Sequence, residues 1–215
     1  MKIIDFKVGE GQTSKMYVWD DVRSDAKGVI QLVHGMAEHI ARYDEFARFL
    51  AANGFVVCGN DHLGHGKSID DRYQIGYMGD YNGDKRLVDD MHILTKIMKK
   101  RNPDIPYFLF GHSMGSFCSR IYAVHFGYEL DGVILCGCHP GDCHYVTGNY
   151  YTRRRMALLF SMLNYMGIEK ERTRVEWVSA AEGAKFSAVM NDFVKKITEL
   201  GENKRLTDLR VKEGE

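Results

Sequence analysis

The stretch that decides the fold runs from residue 107 to 126, "YFLFGHSMGSFCSRIYAVHF". Its first half, "YFLFGHS" (107–113), reads as a short buried strand that ends in a turn. Its second half, "MGSFCSRIYAVHF" (114–126), reads as a helix that starts at once. Ser113 stands at the join, between Gly111 and Gly115. Strand, serine and helix in this order are the layout of a nucleophile on a sharp elbow. The glycines permit the turn that holds the Ser113 hydroxyl out over the C-terminal edge of a sheet. The N–H of Met114 then points where a tetrahedral oxyanion would form. A serine used this way needs a histidine as base and a carboxylate to orient it.

Outward from the elbow, short apolar runs alternate with longer helical patterns, the signature of an α/β domain. "MYVWD" (16–20) is an early, half-exposed strand, and "GVIQLVHG" (28–35) and "FVVCGND" (55–61) are buried strands. "YDEFARFLAANG" (43–54) has apolar residues at 43, 46, 49 and 50 and a glycine stop, so it reads as a helix. "DKRLVDDMHILTKIMKKRNP" (84–103) is a long amphipathic helix, with lysines in its last turn as the helix dipole favours. "DGVILCGC" (131–138) is the next strand. After about residue 145 the character changes. Residues 153–168 and 179–201 read as helices, and the last fourteen residues are mostly charged.

Bulk composition narrows the function classes. The 215 residues suffice for one sizeable domain, and 29 basic residues balance 29 acidic ones. That balance argues against a dedicated nucleic-acid binder, which carries a basic excess. No continuous apolar stretch follows Lys2, so no signal peptide is expected, and no window approaches a membrane span. Five cysteines in no evident disulfide framework point to a reducing, cytoplasmic setting.

Two further segments add to the elbow. "HGMAEHIARY" (34–43) follows a buried strand and can offer a second backbone N–H, from Met36, to the same oxyanion. The imidazole of His34 is read as a core group that fixes the turn. "DHLGHGKS" (61–68) is a glycine-rich loop that lacks P-loop spacing and opens no helix, so a structural role is expected. With "GHSMGS", these segments resemble, in order and spacing, the monoacylglycerol lipase and lysophospholipase branch of the α/β-hydrolases, also grouped as serine aminopeptidase-like hydrolases. The resemblance runs over residues 1 to about 140. It implies Ser113 as nucleophile, the N–H groups of Met36 and Met114 as oxyanion hole, and a helical cap over an acyl-chain pocket. "RTRVEWVSAAEGAKFSAVMNDF" (172–193) is similar to the family's cap segment, with Trp177 and Ser179 at its Trp-x-Ser core.

Family members place the catalytic Asp and His after the cap. Here all nine histidines lie before residue 145, and "KKITELGENKRLTDLRVKEGE" (195–215) stops at about the point where that histidine is expected. Neither the usual base nor the orienting acid is found. His139 is a weak substitute, since a base must lie within hydrogen-bond reach of the hydroxyl and Pro140 restricts it. "CGCHPGDCH" (136–144) invites a metal reading, but Cys136 and Cys138 are one residue apart and suit a strand face better than a zinc site. No metal or cofactor is expected.

The expected architecture is an α/β-hydrolase core with a mainly parallel sheet of about six strands and a shortened helical cap. Residues 1–144 would form the core, 145–193 the cap-like segment and 194–215 a remnant of the C-terminal core. The expected activity is hydrolysis of carboxylic esters of the monoacylglycerol or lysophospholipid class through an acyl-enzyme on Ser113, impaired by the incomplete triad. The alternative is a non-catalytic or truncated hydrolase-like protein that binds a lipid-sized ligand. The expected partner is a small acyl ester or lipid. Arg153–Arg155, ahead of an apolar helix, leave room for peripheral membrane contact through the cap, although a solvated helix start is the simpler reading. The sequence sets no oligomeric state.

Overall fold

The computed structural model describes residues 1–9, 12–19, 26–69, 75–103, 105–201 and 203–204. The chain divides into two compact units, the first Met1–Gly127 and the second beginning at Tyr128.

The first unit is built on a five-stranded sheet. Its strands are β1 (Lys2–Lys7), β2 (Thr13–Trp19), β3 (Gly28–Val33), β4 (Phe55–Asn60) and β5 (Tyr107–Gly111), in spatial order β1-β2-β4-β3-β5. β1 and β2 pair antiparallel, as do β2 and β4, while β3 runs parallel to both β4 and β5. Helices α1 (Asp44–Ala52), α2 (Gly83–Arg101) and α3 (Met114–Phe126) make the connections.

Side-chain alternation along the strands divides the core into two layers. Met16 and Val18 of β2 and Val56 and Cys58 of β4 face α2, where Leu94 and Met98, one turn apart, complete the layer. Tyr17, Trp19 and Val57 face the other way, toward Ala47 and Ala51 of α1. Full burial of side chains this large contributes about 1.5–3 kcal/mol each. Trp19 also anchors the start of α1, its indole Nε1 donating to Asp44 Oδ1 at 2.8 Å.

The second unit holds β6 (Val133–Gly137), α4 (Gly148–Tyr165), β7 (Thr173–Trp177) and α5 (Gly183–Leu200). β6 and β7 form a parallel pair, Val133 opposite Thr173 and Gly137 opposite Trp177. Val189, Phe193 and Ile197, at four-residue spacing, are the buried stripe of α5. Arg172 pins the unit. Its buried guanidinium donates at 2.9 Å to Glu169 Oε2, to the Asp131 carbonyl and to the Gly201 carbonyl.

Some expectations need revision. The sheet of about six strands is found as five strands in the first unit, with β6 in a separate two-stranded sheet beside β7. β1 has no counterpart in the sequence reading, because only Phe6 along it is buried and its alternation is faint. Residues 173–177, read as part of a cap-like segment with no element assigned to them, form a strand. α4 begins at Gly148 rather than at 153, and α5 at Gly183 rather than at 179. Asp20, the expected end of an early strand, and most of the expected core remnant at 194–215 lie outside the described residues.

Candidate active site

β5 ends at Gly111 and α3 begins at Met114, so Ser113 occupies the elbow the sequence predicts. Its backbone sits at φ 54° and ψ −120°, a region that costs a non-glycine residue on the order of 1–3 kcal/mol. Neighbouring contacts hold it there. His112 N–H donates to the Val33 carbonyl at 3.1 Å, and Gly115 N–H donates to the His112 carbonyl at 2.8 Å. A side chain at Gly115 would drive into the Val33 and His34 carbonyls, so α3 can start this close to β3 only with glycine there. The Ser113 side chain is exposed.

The turn after β3 reaches the elbow from the other side. A Cβ on Gly35 would lie 3.1 Å from Ser113 Cβ, so this backbone touches Ser113. Among the described residues no hydrogen bond engages the N–H of Met36, and Met114 N–H, the first of α3, has no helical carbonyl before it. The structure thus brings Ser113, the Gly35–Met36 turn and the N-terminus of α3 together.

His34 is the turn-fixing core histidine. Its Nε2 accepts from His62 N–H at 2.9 Å, so Nδ1 carries the proton and donates to the Gly35 carbonyl at 2.7 Å. Burial lowers its pKa, offset in part by that bond. The glycine-rich loop is structural as well. Asp61 accepts from Ile40 N–H, Tyr17 O–H and Lys67 N–H at 2.7–2.9 Å, which ties the loop to β2 and to the turn after β3. Burial and the Asp61 carboxylate push the Tyr17 hydroxyl pKa up.

Sequence reasoning missed Glu38. This buried carboxylate accepts from Gly35 N–H and, at 2.8 Å, from Tyr43 O–H. It also faces His112 Nδ1 at 3.4 Å and Arg42 at 3.1 Å. The segment "HGMAEH" contains it, but its partners are spread from Gly35 to His112.

In the second unit His139 pairs with a carboxylate. Its Nε2 donates to Glu182 Oε2 at 2.7 Å. Glu182 also accepts from Ser179 N–H, and these bonds, the backbone one foremost, bring its pKa down to about 2. Asn149 Nδ2 donates to the Cys138 carbonyl and thiol, closing the loop that carries the cysteines.

The sequence profile described as serine aminopeptidase, S33 matches residues 24–192. The chain belongs to that hydrolase family. Its fold is that of an α/β-hydrolase, and the family is lipase-like in its curated members. The chain is 32% identical over 114 residues to a monoacylglycerol lipase of Mycolicibacterium smegmatis, covering 53% of this chain and 39% of that protein. Among solved structures, a thermostable carboxyl esterase from Bacillus coagulans superposes with a TM-score of 0.58 at 33% identity, over 77% of this chain and 51% of the esterase. A different kind of relative appears beside these hydrolases. The chain is 56% identical over 71 residues to an iron-sulfur subunit of the F420-non-reducing hydrogenase vhc of Methanococcus voltae, covering 33% of this chain and 49% of that protein. The chain therefore spans about half the length, or less, of the curated relatives it matches.

Proposed function

We propose that this chain carries the nucleophile half of a carboxylic ester hydrolase acting on monoacylglycerols or lysophospholipids, and that as written it turns over poorly. The observation that carries this reading is Ser113 at positive φ on the elbow, against the Gly35–Met36 turn. In the reaction the Ser113 hydroxyl attacks the ester carbonyl, and its Oγ–C bond forms as its proton is lost. The N–H groups of Met36 and Met114 receive the oxyanion. The tetrahedral intermediate collapses with cleavage of the bond to the alkoxide, which takes up a proton and leaves as the alcohol, and water then hydrolyses the acyl-serine. The missing part is the base. His34 has both ring nitrogens engaged in the core, and the His139 imidazole, in the other unit, donates its Nε2–H to Glu182 and keeps only Nδ1 as an acceptor. Catalysis then rests on the oxyanion hole and substrate binding, which in triad knockouts retain roughly 10³–10⁴-fold acceleration over water.

The 145–193 cap, a cytoplasmic setting and lipid contact through Arg153–Arg155 belong to the same reading. No helix among the described residues is long and apolar enough to cross a membrane. The test is hydrolysis of a short-chain nitrophenyl ester and a monoacylglycerol, with Ser113→Ala as control. Slow hydrolysis that the control loses is expected. Turnover at roughly 1–10³ s⁻¹ would show a working base within the chain.

The likeness to a hydrogenase component favours a second reading for the second unit. A 71-residue match fits within a unit that begins at Tyr128, and 136–144 is the cysteine-dense stretch an iron–sulfur protein would share. In this reading residues 128 onward are a module of separate kind joined to a hydrolase half, in place of a cap and core remnant. The cysteines do not fit a cluster as they stand. Among the described residues no three His, Cys, Asp or Glu side chains come together as metal ligands.

A further inference from the structure

We propose that Glu38 is a positioning residue of the nucleophile site, a carboxylate that locks the oxyanion turn to the elbow. The proposal rests on Ser113 being the nucleophile.

The geometry of the turn sets the problem. Met36 N–H can serve an oxyanion on Ser113 only if the Gly35–Met36 backbone keeps its place against the serine. That turn is not self-supporting, because Ala37 sits at φ 57°, a left-handed conformation that alanine resists. Glu38 supplies the support. Its Oε1 accepts the Gly35 N–H, fixing the His34–Gly35 peptide one residue ahead of Met36, and the Tyr43 hydroxyl from the turn ahead of α1. The same oxygen faces Nδ1 of His112, the residue immediately before Ser113. One carboxylate thus touches both halves of the site. It is 9% exposed, so little water competes for it. A Cβ on Gly35 would fall 2.7 Å from Oε1, so only glycine lets the carboxylate come this close. Burial alone would raise the Glu38 pKa, yet the bonds from Tyr43, Gly35 and His112 hold it below the ordinary value. Oε2 turns outward to Arg42, which is largely exposed and adds little.

Losing an oxyanion donor costs about 10²–10³-fold in rate in well-studied hydrolases. A displaced turn should cost part of that. The experiment uses the full chain and a small fluorophosphonate, which Ser113 attacks with formation of an Oγ–P bond and release of fluoride and the hydroxyl proton. Labelling at Ser113 is followed by mass spectrometry in Glu38→Ala, Glu38→Gln and Tyr43→Phe. Amide spectra of the same variants report the Met36 and Met114 N–H groups directly. Expected are labelling slowed about tenfold or more in Glu38→Ala, with both amide signals moved, and near-normal behaviour in Glu38→Gln, whose side-chain carbonyl still accepts from Gly35. Tyr43→Phe should slow labelling a few-fold, and it keeps the question open to measurement if Glu38→Ala does not fold. Unchanged labelling and amide signals in the folded variants would overturn the positioning role. An unmodified chain that never labels at Ser113 would sink the nucleophile reading instead, while the amide signals would still judge Glu38.

Discussion

His62 lies two residues past the end of β4, fully buried, and among the described residues neither ring nitrogen has a hydrogen-bond partner. Burial, together with His34 and His65 nearby, depresses its pKa from 6.5 to about 3. The unfolded chain takes up a proton at about pH 6.5 that the folded chain refuses until about pH 3. Stability is therefore complete above that window and falls as the pH drops through it. His34 is lowered in the same direction. Thermal melts from about pH 8 to about pH 5 should show a declining melting temperature, and His62→Gln should flatten the decline even if it lowers the whole curve. The carboxylates held below their ordinary pKa, Glu38 and Asp44 among them, act only at more acid pH. An identical slope in the variant would mean that His62 is not the group titrating.

At the scale of elements, legibility followed how local the cause was. β3, β4 and β5 are readable because buried strands show as apolar runs with glycine at or beside their ends, and β2 through the apolar run from Met16 to Trp19. The elbow was readable because its demands fall on neighbouring residues, Gly111, Ser113 and Gly115. β1 was not, since an edge strand with one buried side chain leaves almost no pattern. β7 does alternate, with Arg174 and Glu176 on one side bound to each other and Val175 between them. Its resemblance to a cap segment hid that period. α4 starts five residues ahead of the helix read at 153, where Asn149 serves the cysteine loop and not a hydrophobic face. Glu38 illustrates the remaining limit. A carboxylate that works by joining residues 35, 43 and 112 has no signature in any short window.

The whole molecule has two compact units, and each has its own internal support: the two-layered core in one, the Arg172 pin in the other. Units with separate cores unfold separately unless their interface is large. Calorimetry should resolve two transitions. Gly115→Ala, which forces a methyl group against the Val33 carbonyl, should lower the first unit's transition alone. Arg172→Ala strips the Asp131 and Gly201 carbonyls of a charged donor, a loss on the order of 2 kcal/mol, and should lower the other alone. A single transition moved by both substitutions would contradict the reading of the second unit as a separate module.

The backbone of Ser113 carries one more implication, for how the gene would drift. Its φ of 54° and ψ of −120° suit glycine better than any residue with a side chain. Ser113→Gly should therefore raise stability by about 1 kcal/mol while removing the hydroxyl. A library of this chain, selected for heat resistance with no demand for ester hydrolysis, should enrich glycine at position 113. The same library selected for hydrolysis should keep the serine and bear the lower melting temperature.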